Sequence, residues 1–284
     1  MADYIKPAQT IRNIVEAGVV KAALPPLDLL IRGALAGAFL GFATSMAFLA
    51  GAQTGQPIVG ALLFPAGFAI IVVLGLELLT GNFAVMPVAM FAGRISPGQV
   101  MSNWAWVFLG NLIGSLFYAM LFWIAATEAG HNSGGLIGER LRALAVSKTT
   151  AYEAFGAAGM LTVFVKAILC NWMVSLGTVM GLASSSTAGK ILGAWLPIFI
   201  FVEQGFEHSV VNMFAIPAGM MLGAHVSMSE WWLWNEIPVT LGNMVGALLF
   251  TAAALYTTYG RVPASLQDVV RDEGKGGTVS PIRP

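Results

Sequence analysis

The stretch Phe201 to Phe214, "FVEQGFEHSVVNMF", sets Glu203, Glu207 and His208 inside an apolar run that reaches from "ILGAWLPIFIF" before it to "AIPAGMMLGA" after it. A bilayer crossing needs about 20 predominantly apolar residues, so the region 190–223 is too long for one straight helix. Glycine and charged residues at its middle, "EQGFEHS", mark a helix that breaks at membrane depth. Ionisable groups at that depth are costly, and their presence points to function. The chain has only three histidines, and one of them stands here.

Outward from this segment the composition agrees. The chain of 284 residues is 57% apolar and 10% charged, with a mean hydropathy of +0.78, whereas soluble domains carry about 25% charged residues. Apolar regions at 29–50, 57–90, 103–126, 157–183 and 236–259 join 190–223 as six spans of an all-α polytopic membrane protein. The second span is also overlong and carries "GLELLTGN" at 75–82. Net charge is zero and no block of like charge exists, which argues against a nucleic-acid partner. A lone Cys170 excludes an intramolecular disulfide and a thiolate metal cluster. Ile11, Ile14, Val15 and Val19 recur at helical spacing, so residues 1–28 read as an interfacial helix. Residues 29–259 form the six-span membrane domain, and 260–284 a flexible tail. With the N-terminus in the cytoplasm, ten Lys and Arg fall inside and four outside, which places both termini on the cytoplasmic face of the inner (plasma) membrane.

The chain also matches itself. "GLELLTGNFAVMPVAM" (75–90) against "GFEHSVVNMFAIPAGM" (205–220) pairs Glu77 with Glu207, Asn82 with Asn212 and Pro87 with Pro217 at an offset of 130. "LGNLIGSLF" (109–117) pairs with "LGNMVGALL" (241–249) at 132, and "IRGALAG" (31–37) with "VKAILCN" (165–171) at 134. Units of about 29–126 and 157–259 each hold three spans, so the second copy must lie upside down relative to the first. This is an inverted repeat whose broken second and fifth helices meet near the midplane, the plan of transporters and channels. His208 falls opposite Leu78, so the two copies share a fold but differ in chemistry. Arg32 and Lys166 fall opposite each other, one near each mouth of the pore, where fixed positive charge gathers small anions.

"LELLTGN", "AILCNWMVSL" and "GFEHSVVNMF" together resemble the formate/nitrite transporter family, pentameric channels with an aquaporin-like protomer, over about residues 5–260. Departures stand at Leu76, Leu79 and Ser175, where members carry a small residue, an aromatic or isoleucine, and cysteine. Members often have a lysine 16 residues before the asparagine of the fourth helix; here that position is Phe155, while Lys148 lies 23 residues before Asn171. The resemblance implies His208 as the central histidine, Thr80 bonded to it and Asn171 beside it. It makes Phe201 and Phe64 apolar constrictions on the two sides of His208, with Phe68 joining Phe64. Glu207, Asn82 and Asn212 complete the expected pore set; Lys148 joins Arg32 and Lys166 as vestibule charge.

The function expected is passage of a small monovalent anion of a weak acid, formate first and nitrite or hydrosulfide as alternatives, linked to protons through His208. Moving a bare carboxylate-sized ion into low dielectric costs on the order of 20 kcal/mol by the Born estimate. Taking up a proton before the constriction avoids that cost. An aquaporin-type water or polyol channel would need Asn-Pro at both breaks, and the dipeptide occurs nowhere. An intramembrane metalloenzyme would need ligand spacing that Glu203, Glu207 and His208 lack, with His131 and His225 in or near loops. No metal or cofactor is expected, and one pore per protomer is.

Overall fold

The computed structural model describes residues 3–261, so all but the first two residues of the expected tail lie outside the described residues. The described chain is helical apart from one isolated antiparallel bridge, Tyr4 to Ser184. Helix α1 (Pro7–Ala22) leads into α2 (Pro26–Thr54). Helices α3 (Pro57–Leu63) and α4 (Pro65–Leu74) run on as one crossing that breaks and resumes as α5 (Leu79–Phe91). Then come α6 (Pro97–Thr127), the connecting helices α7 (Gly135–Ser147) and α8 (Thr150–Glu153), and α9 (Gly156–Leu182). A second broken crossing follows as α10 (Thr187–Glu203) and α11 (Ser209–Met221). The last is α12 (Met228–Trp231) and α13 (Ile237–Ala247), continued by π-helical turns at Trp232–Glu236, Leu248–Ala253 and Tyr256–Gly260.

The punctuation is local chemistry. Proline opens α1, α2, α3, α4 and α6, where its missing N–H has no helical partner to lose. Ser96 and Gln99 close a capping box on α6, and Ser227 and Glu230 another on α12. Five stretches are long and apolar enough to cross a membrane: Pro26–Thr54, Pro57–Leu74, Pro97–Thr127, Gly156–Leu182 and Met228–Gly260. The 17 residues of α10 and 13 of α11 repeat the broken pattern of α3–α4 and α5. The expected interfacial helix is α1, which buries Ile11, Ile14 and Gly18 and packs along α5. Ahead of it, Asp3 accepts hydrogen bonds from the hydroxyls of Ser184 and Ser186 and from the N–H groups of Ser185 and Ser186. Those donors, Ser184 first, hold its carboxyl well below the usual carboxylate range. The arm therefore stays fastened to the α9–α10 loop through mild acidity; its contribution begins to fade as pH drops below the ordinary carboxylate range and is gone once pH has fallen through that lowered value.

Two helix pairs carry the packing. Along α2 and α6, a methyl group on Gly114 would overlap the carbonyl of Ala34; along α9 and α13, one on Gly246 would overlap the carbonyl of Ile168. The two contacts are repeat equivalents, at an offset of 132 along α6 and α13. Between helices in lipid, small residues of this kind allow the close approach that drives association. Gly114→Ala and Gly246→Ala are each expected to destabilise the fold by roughly 1–3 kcal/mol, the cost of overpacking. Gly98→Ala, near the open start of α6, is the control; equal melting temperatures in detergent for all three would refute this account.

Candidate functional site

Both broken crossings stop on a glycine in the left-handed region, Gly75 at φ +64° and Gly205 at φ +65°, which a side chain would strain. The short segments that follow release backbone groups at membrane depth, where no water can serve them. Asparagines from neighbouring helices take them up. Asn111 of α6 accepts from the N–H of Leu79 at 2.9 Å and donates to the carbonyls of Glu77 and Gly33 at 2.9 and 2.8 Å. Asn243 of α13 accepts from Ser209 at 2.9 Å and donates to Glu207 and Ala167 at 2.9 and 2.8 Å. The bonds correspond one to one at the offsets found in the sequence.

The carboxylates of the two breaks repeat the correspondence. Glu77, 1% exposed, is held by Lys21 at 2.8 Å and by Asn82 at 2.7 Å. Asn82 also reaches Asn103 at 2.8 Å, and Asn103 donates to the Lys21 carbonyl. On the other side Glu207 is held by Lys148 at 2.7 Å and Asn212 at 2.8 Å, with Asn212 bonded to Asn235 and Asn235 to the Lys148 carbonyl. One cluster faces α1 and the other α7. They differ in two respects: Asn235 also donates to Glu207 at 3.4 Å, and Tyr152 donates to Glu207 at 2.8 Å and receives a bond from Lys166 at 3.3 Å.

Between the clusters lies His208, 2% exposed. Its Nδ1 accepts the N–H of Val211 at 3.2 Å, which caps α11. A ring that is neutral with Nδ1 as acceptor carries its proton on Nε2, and Nε2 lies 3.1 Å from Thr80 Oγ1. In that tautomer histidine donates to threonine. Asn171 donates to the carbonyls of Thr80 and Asn243 at 3.1 and 2.8 Å, joining the two halves; its own Oδ1 is buried without a partner among the described residues. The Phe201 ring stacks on His208 with centroids 5.7 Å apart.

One expectation is corrected by this geometry. Phe64 and Phe201 do not flank His208 from opposite sides; their rings meet edge to face with centroids 6.0 Å apart. The cause is chain direction. The α3–α4 crossing starts beside the end of α2, whereas α10 starts from the loop that holds Asp3, so the early Phe64 and the late Phe201 come to one level. Phe68, one turn deeper, packs near Gly177 and Ile198. At the positions matching Phe201 and His208 stand the buried aliphatic residues Ile71 and Leu78.

The three vestibule candidates part company. Arg32 lies at the start of α2 in an exposed pair with Asp28 at 3.5 Å, and Lys166 leans over the Tyr152 ring. Lys148 is 13% exposed and bound to Glu207. Its equivalent is Lys21, at an offset of 127. Lys21, Glu77, Asn103, Asn235, Tyr152, Asn111 and Asn243 were absent from the expected site. Extending the match at offset 132 backward by six residues finds Asn103 and Asn235.

A fold of broken crossings with a polar centre enclosed by apolar rings defines a membrane channel or transporter. A family profile described as formate/nitrite transporter matches residues 8–257. A probable formate transporter of Methanothermobacter thermautotrophicus is 37% identical, over 91% of this chain and 98% of its own length. Formate channel FocA of Escherichia coli (strain K12) is 31% identical over 90% and 95%. Among solved structures, an FNT family ion channel superposes with a TM-score of 0.76 at 27% identity, covering 90% of this chain and 99% of that one. A pentameric formate channel with formate bound superposes at 0.68 and 25% identity, covering 83% and 98%. The chain belongs to the formate/nitrite transporter family; it is a multi-pass membrane protein of anion transport, not an enzyme.

The clusters around Glu77 and Glu207 are tested by removing charge. Glu207→Gln leaves Lys148 nearly buried without its counter-ion, a loss that costs about 3–5 kcal/mol when one partner of a buried pair is removed. Adding Lys148→Met to it is expected to recover part of the lost melting temperature. Strict additivity of the two substitutions would refute the coupling.

Proposed function

We propose that the protein conducts formate through a pore within each protomer of a homopentamer, and that the substrate passes the centre as the neutral acid. Both termini lie in the cytoplasm, so the α1 cluster faces inward and the α7 cluster outward, in the plasma (inner) membrane. The two halves are inverted copies, and their breaks form the midplane site. The observation that carries the reading is the His208–Thr80 pair set at the junction of the two breaks, beside the Phe64–Phe201 rings. The formate-transport names of the relatives favour formate over nitrite, which has a similar size and charge and remains the second substrate of the same site.

Proton linkage works through the imidazole. With Nε2–H aimed at Thr80 and Nδ1 occupied by Val211, the ring takes a further proton only by releasing the cap of α11. An anion at Thr80 stabilises that charged ring; the Nε2 proton then passes through the threonine hydroxyl to the anion, and the acid leaves neutral. Flux in this scheme rises as pH falls. His208→Asn keeps a hydrogen-bonding group without the titration. Its formate flux is expected to lose the pH dependence attributable to histidine between about 5 and 8, with an added anion current in planar bilayers. A variant that keeps the parent's pH profile and carries no extra current would show the ring to be a hydrogen-bond partner only.

Selectivity resides in the rings. Phe201→Ala, or Phe64→Ala, opens one side of the edge-to-face pair, so acetate and lactate are expected to pass faster while formate flux changes less. Measured ratios of acetate to formate flux that match the parent's, alongside a mere loss of folded protein, would make the rings packing elements.

A further inference from the structure

A cavity of about 440 Å³ opens on the α7 side, between the end of α2, the start of α3, α7 and the end of α10. Its lining is small or apolar except for Arg140, Ser147 and Glu203. Two of its walls lead to the site. Gly60 and Ala61 line it and lie one turn before Phe64 on the same helix face, while Val202 and Glu203 follow Phe201 directly. Ser147 precedes Lys148, whose ammonium holds Glu207. The cavity thus adjoins the paired rings through one wall and the outer ion cluster through another.

Its charges are unspent. Arg142, two residues along α7, gives its guanidinium to the carbonyls of Ser133 and Leu222. Arg140 and Glu203 are both exposed, and neither side chain has a hydrogen bond or ion pair among the described residues. They share one cavity and do not close on each other. The repeat sharpens the point. At the offset of 127 that relates Lys21 to Lys148, Arg140 corresponds to Asn13, whose side chain is taken by the Leu182 carbonyl. One mouth of the pore therefore carries a free guanidinium where the other carries an occupied amide.

We propose that this cavity is the antechamber of the pore on the α7 side, where Arg140 draws a small monovalent anion to the Phe64–Phe201 barrier and Glu203 turns polyvalent anions away. A guanidinium set among apolar walls presents its donors to a carboxylate in a fixed fork. A second negative charge on the ligand meets Glu203. The proposal rests on the anion-transport reading above.

Uptake of labelled formate into proteoliposomes sorted for one orientation tests it, with the parent, Arg140→Asn, Arg140→Lys and Glu203→Gln. Arg140→Asn should raise the half-saturating concentration from the α7 side roughly three- to fivefold at low ionic strength, less in added salt. From the α1 side it should leave half-saturation unchanged, and Arg140→Lys, which keeps the charge without the fork, should restore only part of the parent's value. Limiting permeability at low formate should fall equally in both directions, as a passive pore requires. Glu203→Gln should make oxalate a stronger inhibitor of formate uptake from the α7 side. An Arg140→Asn protein that elutes as the parent's oligomer with unaltered half-saturation overturns the antechamber, and so does an equal rise from both faces. A parent that carries no formate overturns the transport reading, and this one with it.

Discussion

The structure depends on how it satisfies backbone groups released where two helices break inside the membrane. An unpaired peptide group there costs several kcal/mol, and each break exposes more than one. Asparagine is suited to the task, since one short side chain offers an acceptor and two donors. Asn111 ties α2, the first break and the start of α5 to α6; Asn243 does the same for α9, the second break and α11 on α13. The small residues have to be understood with them. Asn111 reaches the Gly33 carbonyl because α2 and α6 are separated by glycines alone at that level. Helix contact and loop support are thus one feature.

On this repeated frame the chemistry is placed unevenly. One break presents Leu78 and the other His208; Thr80, which meets the imidazole, has Val210 at its matching position. The donor and the acceptor of the central hydrogen bond come from different copies, so neither half could form it alone. The α7 cluster adds Tyr152 and Lys166 to a set that on the α1 side holds only Lys21, Glu77 and two asparagines. Rings are unequal too, with two phenylalanines where the matching region supplies aliphatic side chains.

Much of this was legible in the sequence. The breaks announced themselves because a continuous membrane helix has no use for glycine and charge at its middle, and the matched Glu and Asn positions are indeed those that bond to each other. His208 and Thr80 were paired through the family resemblance, since 128 residues separate them and no local rule spans that distance. What stayed hidden was direction and length. Spacing along a helix says that Phe64 and Phe201 can face a pore, but not which end each approaches. Counting residues back from Asn171 lands on Phe155 and is silent about Lys148, which reaches Glu207 from the far side of the short α8. Lys21 escaped notice as one of several charges on an interfacial helix. Only its partner Glu77, far along the chain, distinguishes it.

The fastening of Asp3 to the serines at 184–186 sets an order in time. The arm is synthesised before the loop it binds, and its latch cannot exist until more than 180 further residues have followed. At roughly 5–20 residues per second, that interval is on the order of ten seconds or longer. Meanwhile Lys21 can find Glu77 once the second crossing is made, so α1 docks by its end before it is secured at its beginning. The α1 side is therefore secured at residue 3 only after its later end has docked, and closing the latch records that α9 has been made.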